Sequence, residues 1–132
     1  MNFTEFMESF ADEVGGQFSE YDKTKSVIIV PVDEFRFQTV VGEMRHINHY
    51  DKTAIEYSSK VCPFQADIDL KLLLEENTKF CHAKFSIVDG FVKVEASAFI
   101  DNATDDLLKE IIIEVAQMAD EWEYKLTGMD VH

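Results

Sequence analysis

The sequence predicts an α+β fold built on an antiparallel sheet, with elements in the order helix, four strands, helix, two strands, helix. Three observations lead to this prediction. Apolar residues recur at helical spacing near both ends of the chain, whereas the period is two through much of the region between them. The dipeptide Asp89-Gly90 joins two β-rich segments and is typical of a two-residue hairpin turn. The regular alternation of strand and helix that builds a parallel sheet is missing from the pattern.

The chain has 132 residues, which is the size of one domain, and no Pro-, Gly- or Ser-rich linker divides it. We therefore expect a single domain over residues 1–128, followed by a frayed C-terminal tail at 129–132. Hydrophobic residues make up 46% of the sequence, so the core needs no disulfide scaffold.

The first element is an amphipathic helix that two consecutive glycines, Gly15 and Gly16, bring to an end. Its apolar side consists of Phe3, Phe6, Met7, Phe10 and Val14. The following segments alternate with a period of two and predict strands near residues 17–21, 25–30, 35–45 and 53–61. Turn-forming residues separate these segments, so the four strands are expected to form an antiparallel meander.

A second helix is predicted from about Ala66 to Glu76, and its apolar residues spread around much of the circumference. One sheet cannot cover both sides of such a helix. It is therefore either fully buried in the core or packed between its own sheet and a second subunit, and we favour the second interpretation. The expected dimer or partner contacts are Ile68, Leu70, Leu73, Leu74 and Phe64.

Two further strands are predicted near residues 80–88 and 91–99, on either side of the Asp89-Gly90 turn. Thr104 is a suitable N-cap for the last helix, and Gly128 a suitable C-cap. Its long apolar stripe consists of Leu108, Ile112, Val115, Ala119, Trp122 and Leu126.

The second half of the chain, roughly residues 70–126, carries a resemblance to a known family. The matching features are the segments Leu73 to Asn77, Phe85 to Gly90, Val92 to Ser97 and Thr104 to Leu108, and a long helix with Ala119 and Trp122. In these it resembles the bacterial sensory-transduction-regulator (YbjN-like) family, which shares a fold with the type III secretion chaperones of the Tir chaperone (CesT-like) group. A departure is Cys81-His82-Ala83, where such proteins usually have a glycine-containing start to the strand.

The resemblance implies a type III secretion chaperone-like fold and a small acidic homodimer that binds protein. Such a dimer either holds a secretion substrate or acts through regulatory contacts. The family contributes no catalytic residues at the matching positions.

Charge and hydropathy exclude several classes of partner. The 12 Lys and Arg residues against 26 Asp and Glu residues give a net charge of −14, which disfavours binding to nucleic acid or to an anionic membrane surface. No segment approaches the roughly 18 apolar residues of a membrane span. The acidic N-terminal segment lacks the basic region of a signal peptide, so we expect a cytoplasmic protein with Cys62 and Cys81 reduced.

The candidate metal ligands do not converge. His46 and His49 are three residues apart, and Cys81 and His82 are adjacent, so in a strand each pair points to opposite faces. The segment from Asp101 to Asp105 lacks the glycine and the distal glutamate of an EF-hand. We therefore predict no metal site and no cofactor.

Catalytic patterns are also missing from the sequence. Neither cysteine has a spacing that suggests a histidine and an orienting acid beside it, and the paired carboxylates occur at turns and helix ends, where solvation and capping explain them. No phosphate-binding loop or dinucleotide fingerprint occurs. We predict that the protein is not an enzyme.

The leading hypothesis is a non-catalytic, cytoplasmic protein-binding module of the chaperone or regulator kind that acts as a homodimer. Its partner is expected to be another protein or a peptide segment, basic or amphipathic because of the net charge. Apolar grooves on the sheet would hold it, with an anchor among Phe35, Phe37, Phe64 and Phe91.

The alternative is a small-molecule-binding or enzymatic domain with a pocket between sheet and helices, near His46, Tyr50, Tyr57 and His82. A deep cavity with converging polar groups would favour this alternative, whereas shallow apolar grooves would favour protein binding.

Overall fold

The computed structural model describes residues 2–128, and the predicted tail at 129–132 lies outside the described residues. The helices are α1 (Phe3–Val14), α2 (Leu70–Glu76) and α3 (Asp105–Thr127). The strands are β1 (Gln17–Glu20), β2 (Lys25–Pro31), β3 (Phe37–Ile47), β4 (Lys52–Pro63), β5 (Lys84–Val88) and β6 (Phe91–Phe99). This order confirms the predicted α+β fold class.

The six strands form one antiparallel sheet in the order β1-β2-β3-β4-β6-β5. The first four strands are the predicted meander. The chain then passes through α2 and returns so that β6 pairs with β4 and β5 becomes an edge strand. Asp89 and Gly90 have φ angles of 52° and 80°, the positive values that a type I′ hairpin turn requires.

Helices α1 and α3 pack against the sheet and leave its other face open. Alternate residues of the central strands are buried with the two helices in one hydrophobic core, among them Ile28, Val40, Ile55 and Val94. Strand residues between them point to the open face, where Lys25 and Glu43 are opposite each other. A sheet covered on one face explains the period of two in the sequence.

The helix ends follow the predicted caps. Gly15 ends α1 and Gly128 ends α3, both in the left-handed region, with φ of 72° and 70°. The Thr104 side chain accepts a hydrogen bond from the Leu107 N–H at the start of α3. Asp69 caps α2 in the same way by accepting from Leu72 N–H, so this helix begins at Leu70 and is shorter than predicted.

Strand β5 also begins later than predicted, at Lys84, and a carboxylate provides the reason. Glu114 of α3 accepts hydrogen bonds from the backbone N–H groups of Cys81, His82 and Ala83, at 3.1, 2.7 and 2.6 Å. Since these N–H groups are bound by a side chain, the segment crosses toward α3 before it joins the sheet.

Candidate functional site

The sheet separates at one end of its central pair of strands. Backbone pairing between β3 and β4 runs from Ile47–Lys52 only as far as Val41–Ser58. Beyond that point β3 pairs with β2 alone and β4 pairs with β6 alone, with a bulge between Lys60 and Cys62. The two strands therefore diverge and leave an opening between them, which we call the β3–β4 cleft.

Two buried polar side chains bridge the cleft where the backbone ladder stops. Gln38 Nε2 donates to Ser59 Oγ at 2.9 Å and to the Lys60 carbonyl at 3.1 Å, and Ser59 Oγ donates to the Thr39 carbonyl at 2.6 Å. Gln38 is only 6% exposed, and its Oε1 atom has no donor among the described residues. A buried acceptor without a partner is energetically unfavourable.

The cleft is a partly open depression with a volume of about 580 Å³. The residues that line its open side are Phe37, Val41, Ser58, Lys60, Phe91 and Lys93. Cys62 and Glu123 line it toward α3, and both are less than 10% exposed. Burial, followed by the nearby Glu123 carboxylate, raises the pKa of the Cys62 thiol, which keeps this thiol protonated and unreactive.

The charges on the open side of the cleft are positive. Lys60 and Lys93 are directly opposite each other on β4 and β6. The Lys60 ammonium lies 4.1 Å from the centre of the Phe91 ring, a cation–π contact. Within residues 2–128, no carboxylate lies within ion-pair distance of either lysine.

The acidic pair on the same face is arranged differently. Glu43 and Glu56 are also directly opposite each other, but Arg45 lies 3.3 Å from Glu56 and Lys25 lies 3.9 Å from Glu43. Burial raises the pKa of Glu56, Arg45 opposes this effect, Glu95 and Glu43 add to it, and Lys93 opposes it. Glu43 and Glu56 thus each have a basic side chain within 4 Å, whereas in the described part of the chain neither Lys60 nor Lys93 has a carboxylate that close.

The short loop before β3 carries an exposed aromatic residue, and side-chain hydrogen bonds hold its backbone. Phe35 is 85% exposed, and its N–H donates to Asp33 Oδ1 at 2.8 Å, as does the Arg36 N–H at 3.0 Å. Arg36 Nε also contacts both carboxylate oxygens of Asp120 on α3 at 3.2 and 3.1 Å. The loop therefore presents Phe35 to solvent close to Phe37, which is 48% exposed.

The residues predicted as partner contacts occupy different environments. Leu70 and Leu74 on α2 are 42% and 68% exposed, and Phe64 is 37% exposed. Leu73 is only 3% exposed and belongs to the core, because a single leucine of this short helix anchors it to the subunit. Ile68 packs partly against that core. The structure thus leaves one side of α2 apolar and uncovered, but Leu73 is not on that side.

The residues of the alternative pocket do not come together. Tyr57 is fully buried in the core, where burial raises the pKa of its hydroxyl. His46 lies near the β3–β4 turn with its Nε2 3.2 Å from Asp51, whereas His82 Nε2 is 3.7 Å from Glu110 of α3. Tyr50 is exposed and packs on Phe99. Over residues 2–128, no group of three His, Cys, Asp or Glu side chains is arranged to hold a metal ion.

None of the helices between residues 2 and 128 combines the length and the apolar character that crossing a membrane requires.

Reasoning from sequence named two of the cleft aromatics, Phe37 and Phe91, but missed its polar bridge. The available signal was that Gln38 and Ser59 occupy inward positions of otherwise apolar alternation in β3 and β4. Polar residues at such positions require partners, and here they form them with each other.

The comparison with solved structures identifies the architecture. The chain is similar to a chain of the heterodimeric complex ExoU–SpcU from the type III secretion system of Pseudomonas aeruginosa, with a TM-score of 0.65 and 13% sequence identity. The similarity covers 96% of this chain and 99% of that chain. The fold is type III secretion chaperone-like.

No protein-family model matches the sequence, and no curated protein matches it. At 13% identity, the similarity establishes the fold alone.

Proposed function

We propose that this protein is a non-catalytic, chaperone-like binding module that holds a segment of another protein in the β3–β4 cleft. One observation carries the proposal: the sheet separates between two central strands and leaves an open site with exposed aromatic residues and an unused buried acceptor, Gln38 Oε1. An open depression of this kind suits an extended segment better than an enclosed substrate. The chaperone-like fold supports the same conclusion.

We propose further that two copies of the chain associate through the uncovered side of α2. Two leucines share this side of the short helix, Leu70 and Leu74, and they are 42% and 68% exposed. Phe64 and the partly buried Ile68 lie next to them in the chain. A symmetric homodimer would remove this apolar surface from water, with Leu73 as the anchor that holds α2 on its own subunit.

The cellular setting is part of the proposal. The acidic composition fits a bacterial cytoplasmic protein whose long-range field attracts basic or amphipathic segments. Two roles fit such a module: holding a secretion substrate, and regulation through protein contacts, as the resemblance to the YbjN-like family implies. The identity of the partner distinguishes them.

The binding role is tested by co-purification from the native cells, followed by identification of what is retained. Phe37→Ser removes an exposed aromatic wall of the cleft, and Tyr124→Ser removes a comparably exposed aromatic residue of α3 as the control. We expect a protein that co-purifies with the wild type and with Tyr124→Ser but is depleted at least tenfold with Phe37→Ser. Retention of small metabolites alone, or binding to DNA at physiological salt, would contradict the proposal.

The dimer is tested by light scattering. We expect a mass of twice 15.2 kDa for the wild type at micromolar concentration and 15.2 kDa for the double variant Leu70→Glu, Leu74→Glu. The control variant Tyr21→Glu, Tyr124→Glu changes two exposed apolar residues away from α2 and should remain dimeric. A folded wild-type monomer at every concentration would rule out the dimer.

A further inference from the structure

The β3–β4 cleft contains unmatched groups of two chemical kinds, and together they define what binds there. One is a buried acceptor, Gln38 Oε1. The other is the pair of ammonium groups of Lys60 and Lys93 on the open side. The apolar surfaces of Phe37 and Val41 line the same cleft.

Lys60 and Lys93 are like charges directly opposite each other, and a carboxylate between them would reduce their repulsion. Like charges directly opposite each other on neighbouring strands repel, and the fold compensates the acidic pair Glu43–Glu56 with Arg45 and Lys25. Lys84, on the neighbouring edge strand, is directly opposite Glu95. Lys93 is close enough to Glu56 to lower the pKa of that carboxyl, but within residues 2–128 no carboxylate forms an ion pair with Lys60 or Lys93.

The acceptor requires an N–H or O–H donor. The orientation of the Gln38 amide is set because its Nε2 donates to the carbonyl of Lys60, which can only accept. Its Oε1 is therefore the atom that accepts no hydrogen bond within the described residues, in a side chain that is only 6% exposed. A backbone N–H of an extended chain is a donor that can reach between two separated strands.

We propose that the cleft binds an extended peptide segment in which an acidic side chain neighbours an apolar one. The carboxylate lies between the Lys60 and Lys93 ammonium groups, the apolar side chain packs against Phe37 and Val41, and a backbone N–H donates to Gln38 Oε1. A peptide supplies all three groups, whereas a simple carboxylate ligand lacks the donor. The inference rests on the proposed binding role and names the chemistry of the partner segment.

The cleft favours an acidic residue, whereas the net charge of the protein attracts basic segments. A charge of −14 draws basic segments over long range, but salt screens exposed charges beyond about 10 Å. Within the cleft the nearest exposed charges are the two ammonium groups, because Glu123 is 4% exposed and lies on the α3 side. Contact selectivity is therefore for an acidic residue, even in a segment that is basic elsewhere.

The experiment measures fluorescence anisotropy with two labelled decapeptides that share phenylalanine and leucine at the same positions. One carries aspartate and the other carries lysine at the intervening positions. We expect the aspartate peptide to bind at least tenfold more tightly, with an affinity that falls as salt rises. Equal or tighter binding of the lysine peptide would overturn the inference.

The double variant Lys60→Glu, Lys93→Glu tests the cleft itself. Its control, Lys71→Glu, Lys79→Glu, changes the net charge by the same amount at two exposed positions of α2 and the turn after it. We expect at least a tenfold loss of affinity for the aspartate peptide in the cleft variant and less than a twofold loss in the control. Equal losses would mean that only net charge matters and would refute the site. Circular dichroism establishes that both variants are folded, and Lys60→Gln, Lys93→Gln replaces the cleft variant if it is not.

Backbone recognition is tested by N-methylating the aspartate peptide at one position at a time. A loss of at least tenfold at a single position supports the donation to Gln38 Oε1, and uniform affinities along the peptide contradict it. Competition with octanoate distinguishes a peptide carboxylate from a small carboxylate ligand. Displacement of the peptide at equal concentration would assign the cleft to a small carboxylate ligand and overturn the inference.

The inference and the proposed function fail in different ways. If a protein co-purifies and binds the Lys60→Glu, Lys93→Glu variant as tightly as the wild type, the binding role stands and the acidic segment is wrong. If Phe37→Ser does not affect capture of any protein, the binding role of the cleft itself is wrong.

Discussion

The two ends of the β3–β4 pair are built by different means. At the hairpin end, backbone hydrogen bonds join the strands from Ile47–Lys52 to Val41–Ser58. At the other end, the side chains of Gln38 and Ser59 bridge strands whose backbones no longer pair. The paired stretch, which we call the closed end, packs against the helices through Ile55 and Tyr57, and the unpaired stretch, the open end, leaves the β3–β4 cleft between its strands.

The contrast shows how a fold opens a site without losing its core. At the closed end Gly42 is directly opposite Tyr57, and the absence of a side chain lets the tyrosine and Met7 of α1 pack over it. At the open end a bulge at Val61 turns β4 away, and polar side chains satisfy part of the exposed backbone. The cleft opens where the backbone pairing of β3 and β4 ends.

Filling the closed end has the largest expected effect. A Cβ at Gly42 would lie 2.7 Å from Met7 Cε and 2.8 Å from Tyr57 Cε1, so Gly42→Val forces the core apart. We expect the free energy of unfolding to fall by about 2–3 kcal/mol in urea titrations. Thr39→Val, on the exposed side of the open end, should change it by less than about 0.5 kcal/mol. Similar losses for the two variants would show that the ends do not differ in packing.

The second prediction concerns Glu114, whose carboxylate accepts hydrogen bonds from three consecutive backbone N–H groups just before β5. Burial alone would raise its pKa, but hydrogen bonds from Ala83, His82 and Cys81 outweigh this and hold the pKa below the ordinary value of 4.5. A lowered pKa in the folded state contributes stability that is present above pH 4.5 and is lost as pH falls through the folded pKa.

We therefore expect Glu114→Gln to lower the free energy of unfolding by about 1–2 kcal/mol at pH 7, with a difference from wild type that shrinks below pH 4.5. Denaturant titrations at several pH values measure both effects. Glu121→Gln changes an exposed carboxyl of the same helix and should follow the wild type throughout. A difference that stays constant down to pH 3 would exclude an ionised carboxylate as the cause.

Removing the bridge at the open end should have the smallest effect. Ser59→Ala deletes the hydroxyl that donates to the Thr39 carbonyl and accepts from Gln38 Nε2. We expect a loss of about 1 kcal/mol, together with faster amide hydrogen exchange at residues 38–40. Ser58→Ala, which lies next to it but faces the open side, is the control. If both variants were equally stable, the bridge would contribute nothing to holding the strands.

Much of the fold was predictable because it depends on local patterns. The hairpin at Asp89-Gly90 and the caps of α1 and α3 are chosen by the conformational preferences of the residues at those positions. The late start of β5 was not predictable, because it depends on Glu114, which is 31 residues from Ala83 along the chain. Nothing in the local sequence of β5 reports on that carboxylate.

The candidate site also has some features that the sequence predicted and others that only the structure showed. The sequence predicted an aromatic anchor among Phe35, Phe37, Phe64 and Phe91, but which of these side chains are exposed required the structure. The apolar surplus of α2 was also visible, but the assignment of Leu73 was not, because a seven-residue helix has no fixed rotation until it packs. The pairing of Lys60 with Lys93 required the register between β4 and β6, which the bulge shifts by one residue.

The sequence by itself determined the order of helices and strands, the acidic charge and the turns, because periodicity, backbone preference and composition act over short distances. Only the tertiary structure decided where the sheet separates, which leucine anchors α2 and which charges oppose each other. Those features depend on strand register and on contacts between residues far apart in the chain, and no local pattern encodes either.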